Sequence, residues 1–288
     1  MIVYNSNNVV QNAYNTAIDF AKSHYENFPV VSFLVPEELQ KHIAIIYWFA
    51  RTADDIADEG NLSDQERILK LDQFQNDFSE ALKGNPKSPY EIALANTIDQ
   101  KNLNPQNFFN LLKAFRQDIT KKRYSSFEEL LNYCKHSADP VGRLILELYN
   151  IRNEDAIIFS DKICTALQLT NFYQDLSIDY SKGRIYLPVD EMEKFDVDEK
   201  MFELKQNSLN LKQLLKFSLD RTENMLNEGK GLLRFLNGRL KYEIKWTILG
   251  GLETLNKIKN IDYDVIHLRP SLTKTDFIRL LIKSIIFK

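Results

Sequence analysis

The sequence predicts an all-α protein, a single large helical bundle. Helical periodicity runs through nearly the whole chain, strand-like alternation bounded by turn residues is almost absent, and turn formers are scarce. Only 9 Gly and 8 Pro occur in 288 residues, too few for a turn-dense β fold and well suited to long helices. Helices are expected near 11–25, 37–59, 63–82, 89–100, 105–120, 127–149, 154–180, 208–237, 239–257 and 273–287. Their breaks fall at Gly84-Asn85-Pro86, Asn104-Pro105, Asn150 to Asn153 and Gly183. The stretch 181–207 is the longest irregular segment, with room for a short helix. No composition shift or repeat of fixed period divides the chain, so residues 1–288 are expected to form one domain.

Composition excludes several function classes. The chain is 44% hydrophobic and 27% charged, which is ordinary for a globular protein. A net charge of −3 argues against a nucleic-acid partner, which would want a basic face. Cys134 and Cys164 lack metal-type or redox-type spacing and are expected to be reduced thiols of a cytoplasmic protein. The N-terminus lacks the basic start and apolar run of a secretory signal. The longest apolar run, Ile43 to Ala50, is too short to span a bilayer. The C-terminal FIRLLIKSIIFK is apolar but carries Arg279, Lys283 and Lys288. It reads equally as a basic amphipathic helix on a membrane surface or as a last helix docked on the core.

Two segments carry chemistry. In HIAIIYWFARTADDIADEG, residues 42–60, a turn of about 100° per residue puts Tyr47, Arg51, Asp54 and Asp58 within roughly 60° of one another. An apolar, inward-looking stripe thus continues into two carboxylates one turn apart. Unpaired charges in a core cost several kcal/mol, and like charges one turn apart repel; a bound cation removes both penalties. The bland reading is a helix whose end reaches solvent. In ICTALQLTNFYQDLSIDYSKGRIYLP, residues 163–188, Gln168, Asn171, Asp175 and Asp179 share an arc of roughly 80°. Here the bland reading is a row of buried polar groups satisfied by neighbouring helices.

Together, two Asp-x-x-x-Asp pairs on long helices suit an acidic, oxygen-only cleft for Mg²⁺, which takes its remaining ligands from water and substrate phosphate. With no Cys or His near either pair, the donor set argues against zinc. Metal-bound diphosphate is a better leaving group, and Arg51, Lys182 and Arg184 stand beside the acid pairs as cations to receive it. Departure of an allylic diphosphate leaves a carbocation, which needs a dry pocket and aromatic faces. Phe28, Tyr47, Phe49, Tyr133, Phe172 and Tyr173 occur in or near the pertinent segments, although most aromatics at helical spacing are core filler.

These motifs, DDIAD at 54–58, QLTNFYQDLSID at 168–179 and KGRIYLP at 182–188, resemble those of the squalene/phytoene synthase family, and the likeness runs from about residue 20 to the C-terminus. It implies one α-helical domain with a central cavity. It implies Mg²⁺ on Asp54, Asp58, Asn171, Asp175 and Asp179, with Asp55 and Gln168 beside the metals. It further implies diphosphate contacts from Arg51 and Arg184, and a reaction cavity bordered by Tyr47 and Tyr133. Two elements depart from the condensing members: HYENFPV keeps His24 and Phe28 but has Asn27, and HSADPVGR, residues 136–143, replaces a Val-Ala-Gly-x-Val-Gly pattern. Both departures, and the tail LRPSLTKTDFIRLL, look like the bacterial hydroxysqualene synthase branch associated with hopanoid pathways.

That branch implies presqualene diphosphate as substrate, ionisation and rearrangement, capture of one water, and no NADPH. His24, Asn27, His136 and Ser137 are candidates for placing the water, with Phe28 in the cavity; for the histidines a structural role is the commoner case. Peripheral membrane contact through the tail and association with other hopanoid or squalene pathway enzymes are further expectations. Two alternatives remain: head-to-head condensation to presqualene diphosphate, squalene or phytoene, which uses the same acid pairs, and a non-catalytic assembly protein on the same fold, which would be expected to have lost acids.

Overall fold

A computed structural model describes residues 6–23 and 34–286. Helices and the loops between them make up the described residues, with no strand among them. The chain groups into two compact units, residues 1–120 with 143–152, and residues 121–142 with 153–288.

The first unit contains α1 (Ser6–Ser23), α2 (Glu37–Asp58), α3 (Asp64–Leu82), α4 (Pro89–Lys101) and α5 (Pro105–Thr120). Helix α2 is its centre and packs against the other four. Phe49 stands where the rings of Phe74, Phe78 and Phe108 converge, at centroid distances of 5.1, 5.0 and 5.1 Å. His42 is buried, its Nδ1 2.9 Å from Thr97 Oγ1, and Tyr14 OH lies 2.8 Å from the same hydroxyl. This polar knot ties α1, α2 and α4 together. Burial, with Lys101 and Lys41 nearby, lowers the His42 pKa to about 4 and keeps the ring neutral.

Local signals set most ends. Ser63 and Glu66 form a reciprocal capping box at the start of α3. The end of α2 is held by Arg67, whose guanidinium donates to the carbonyls of Ile56, Glu59 and Gly60 at 3.0, 3.0 and 2.7 Å. A buried cation thus satisfies carbonyls that the helix cannot satisfy itself.

In the second unit, α8 (Glu154–Gln174) is buried on most sides, including Thr165, Thr170 and Gln174. Helices α6 (Phe127–Ser137), α12 (Leu209–Gly229) and α13 (Gly238–Asn260) pack on it. Close approach depends on glycine: a Cβ at Gly229 would come within 2.5 Å of Ile163 Cγ1, and one at Gly251 within 2.8 Å of Leu167 Cδ2. Helix α14 (Lys274–Ile286) packs on α13. Cys134 and Cys164 are free thiols, and burial pushes Cys164 up to about 12, away from the thiolate form.

Three expected helices are divided. The span 127–149 breaks at Ala138 into α6 and α7 (Asp139–Leu148), because Pro140 has no N–H to continue α6. The span 154–180 breaks at Asp175, whose ψ is 16°, into α8 and α9 (Leu176–Ser181). The span 208–237 tightens after Gly229 into a 3₁₀ turn over Lys230–Arg234. The irregular stretch 181–207 contains two short helices, α10 (Val189–Lys194) and α11 (Glu199–Glu203). No described helix is long and apolar enough to cross a membrane.

Candidate active site

In the first unit the site residues lie on the last three turns of α2. Arg51 pairs with Asp55 at 2.8 Å, with Asp54 at 3.5 Å and with Glu59 at 3.9 Å. Asp54, Asp55 and Asp58 are half-buried, while Ala53 and Ala57 between them are buried. The helix therefore holds its acids at the margin of the core, as the 60° arc requires. Tyr47, also half-buried, has its ring 6.1 Å from that of Phe20. The Arg67 lock on the α2 carbonyls anchors this acidic end.

In the second unit the sequence-predicted residues sit on α6, on α8, at the α8–α9 break, on α9 and in the turn after it. Gln168 and Asn171 are half-buried on α8. Asp175 occupies the break between α8 and α9, yet the helical spacing survives. Its N–H donates to Asn171 O at 2.8 Å, and its carbonyl accepts from Asp179 N–H at 2.9 Å. Lys182 is exposed and Arg184 buried, on either side of Gly183, whose φ of +76° suits a residue without a Cβ.

This turn is tied down from the segment before α6. Arg123 donates to Gly183 O at 2.6 Å and is itself held by Glu199 at 2.6 and 2.7 Å. Ile185 N–H donates to Lys122 O at 3.0 Å. A loop carrying two basic side chains is thereby given a fixed backbone.

Sequence reasoning missed the partner of Asp175. Arg269 approaches it with both arms, Nε to Oδ1 at 2.6 Å and Nη2 to Oδ2 at 3.1 Å. Buried Gln174 places the Arg269 segment by donating from Nε2 to Pro270 O at 2.6 Å. The available signal was a single arginine in the LRPSL tail, 94 residues from Asp175 in the chain, which periodicity does not connect.

An aromatic wall adjoins the polar file. Phe172 and Tyr186 stack at 3.6 Å and 7°. Tyr133 lies 6.1 Å from Phe172 and 6.0 Å from Tyr186, and Tyr124 is 5.5 Å from Tyr133. Tyr133 was expected here; Tyr186 stands in the quoted KGRIYLP motif without an assigned role, and Tyr124 carried no signal. Tyr173, flagged in the sequence, is buried on α8.

Of the water-placing candidates, His136 Nδ1 lies 2.7 Å from Asn132 O, a carbonyl of its own helix. Ser137 has a buried hydroxyl with no hydrogen-bond partner among the described residues. His24, Asn27 and Phe28 lie outside the described residues.

The donor set suits Mg²⁺. Both acid pairs offer oxygen alone, and no group of three His, Cys, Asp or Glu among the described residues forms a ready metal cluster. Mg²⁺ uses one or two carboxylates and fills its octahedron with water and phosphate, so carboxylate pairs serve it where a protein cage would not.

The family model for squalene/phytoene synthase matches residues 21–276. A hydroxysqualene synthase of Sinorhizobium fredii is 31% identical, over 85% of this chain and 84% of that protein. One of Zymomonas mobilis is 34% identical, over 75% and 72%. Among solved structures, squalene synthase HpnC from Alicyclobacillus acidocaldarius superposes with a TM-score of 0.83 at 33% identity, covering 88% of this chain and 95% of that one.

Proposed function

Since the chain belongs to the squalene/phytoene synthase family and is an isoprenoid synthase-type enzyme, we propose that it converts presqualene diphosphate to hydroxysqualene by ionisation, rearrangement and capture of water. The observation that carries the reading is the composition of the second unit's site. A carboxylate–guanidinium head, Asp175 with Arg269, and an aromatic wall of Phe172, Tyr133 and Tyr186 converge on the last turns of α8. One end suits a charged leaving group and the other suits a carbocation. The resemblance to hydroxysqualene synthases narrows the reaction.

Asp54 and Asp58 on α2, and Asn171, Asp175 and Asp179 on α8 and α9, would hold Mg²⁺. The ions, when bound, neutralise phosphate charge and make diphosphate a better leaving group. Arg51, Lys182 and Arg184 bind its oxygens, and Arg269 is placed to join them. As the C–O bond breaks, its electron pair leaves with the diphosphate. Tyr133 and the Phe172–Tyr186 stack would border the cation, an attraction worth about 0.5–2 kcal/mol for a ring whose free face meets it and largest where water is excluded. Tyr47, on α2 one turn before Arg51, would supply a further aromatic face beside the α2 acids.

The rearranged cation then takes a water oxygen, and the resulting oxonium passes its proton to the released diphosphate. No hydride is delivered, so NADPH is not required. The Ser137 hydroxyl orients the water: it is buried, close in sequence to Tyr133, and has hydrogen-bonding capacity to spare. The substrate must come from a head-to-head condensation of farnesyl diphosphate, so a condensing enzyme of that class is the upstream partner.

The test supplies purified protein and Mg²⁺ with presqualene diphosphate or with farnesyl diphosphate, and identifies products by gas chromatography with mass detection. Hydroxysqualene from presqualene diphosphate, without NADPH, is expected. Consumption of farnesyl diphosphate with presqualene diphosphate untouched would overturn the reading in favour of condensation.

A further inference from the structure

Helix α14 has two faces of different fate. Leu280 and Ser284 are buried, and the Trp246 indole of α13 donates to Phe277 O at 3.2 Å. That face is docked. On the other side Ile278, Ile282, Ile285 and Ile286 are 60, 50, 55 and 66% exposed. At about 100° per residue they occupy an arc of roughly 100°. Four isoleucines in one exposed arc form a continuous apolar stripe, which isolated surface residues do not.

Among the described residues, the charges beside the stripe that have no ion-pair partner are of one sign. Lys274 and Lys283 are exposed, and neither is ion-paired among the described residues. They flank the arc on its two sides. The one acid of α14, Asp276, lies on the Lys283 side, about 20° beyond it around the helix, and is already satisfied: it pairs with Lys257 at 2.9 Å and Arg279 at 3.3 Å and accepts from Thr273 N–H at 2.9 Å. Arg279 is committed to Glu253 at 2.6 Å.

We propose that α14 is a membrane-contact helix, which lays its isoleucine face on an anionic lipid bilayer surface with Lys274 and Lys283 at the phosphate level. An apolar face rimmed by unpaired lysines matches the acyl boundary and the anionic headgroups above it. A second copy of the chain is a poorer occupant. It would bring its own lysines to the same rim, with no carboxylate on either arc to meet them. The inference stands on α14 alone and does not depend on the reaction proposed above, although a C30 product leaves into the same phase.

The test is flotation of the full chain through a density gradient. The vesicles are phosphatidylcholine, with and without about one-third phosphatidylglycerol. Wild type is expected to rise with the anionic vesicles and to partition at least about tenfold less onto pure phosphatidylcholine, where the charge attraction is absent. Ile282→Glu combined with Ile286→Glu is expected to lower partition onto anionic vesicles at least about tenfold, since charged side chains are excluded from the acyl boundary. Both positions are exposed, so an unchanged circular dichroism melt accompanies that loss. Wild type remaining at the bottom, or the double variant floating as well as wild type, overturns the proposal. So does a wild-type dimer that the double variant converts to monomer while neither floats. Because flotation reads no turnover, its failure is separate from a failure of the proposed reaction.

Discussion

The sharpest prediction compares two ways of breaking one ion pair. Asp175→Asn and Arg269→Ala both remove the bidentate contact made at 2.6 and 3.1 Å. The Arg269 side chain is 42% exposed, so solvent screens the pair. An exposed pair contributes 0–1 kcal/mol, and good bidentate geometry places this one near the top, at about 1 kcal/mol. Each variant should therefore melt only about 2–4 °C below wild type. Turnover should separate them. Asp175→Asn removes a proposed Mg²⁺ ligand, and on that assignment its kcat/KM should fall at least about 10²-fold, equivalent to about 2.7 kcal/mol of transition-state stabilisation. That exceeds the stability effect, so misfolding does not account for it. The Mg²⁺ concentration for half-maximal rate should also rise. Arg269→Ala leaves the carboxylate in place and should not raise the Mg²⁺ requirement, although a weaker hold on diphosphate should raise KM. The assay is diphosphate release over a Mg²⁺ titration, with thermal melts in parallel. Equal losses of turnover in both variants, with the Mg²⁺ dependence unmoved in each, would refute the assignment and reduce Asp175 to a structural anchor for Arg269.

Three further outcomes follow from the geometry. His42 is neutral in the folded state and titrates near 4 instead of 6.5. Its unfolded form binds the extra proton first, so its contribution is complete above pH 6.5 and is lost as pH falls toward 4. The loss should approach about 3 kcal/mol, and His42→Gln should flatten that stretch of the denaturant-stability profile. Arg67→Met keeps the volume but abandons three carbonyls at and just beyond the end of α2, costing about 2–3 kcal/mol and roughly 5–10 °C of melting temperature; an unchanged melt would show that water caps α2 equally well. Ser137→Ala should leave stability nearly unchanged, because its hydroxyl has no described partner to lose. It should shift products from the alcohol toward hydrocarbon elimination products, and an unaltered product ratio would remove Ser137 from water placement.

The sequence by itself determined the helical class, most helix ends and the two acid motifs, because these follow from rules acting within a few residues. A capping serine, a proline or a 3.6-residue period acts locally, and Asp54 with Asp58, or Asn171 with Asp175, share a face by spacing alone. Even the fractures of the long helices had a local cause: Pro140 was visible as a breaker within 127–149. Tertiary structure alone decided which distant groups meet. Arg269 reaches Asp175 across 94 residues, and Arg67 caps the end of a helix it does not belong to. Tyr124, Tyr133, Phe172 and Tyr186 form one wall although they come from three separate stretches of chain. The tail shows the same limit most plainly. Its period marks α14 as amphipathic, but the helix carries apolar residues on more than one side. Only the packing of Leu280 and Ser284 against the rest of the unit leaves Ile278, Ile282, Ile285 and Ile286 uncovered, because periodicity specifies a face and not what lies against it.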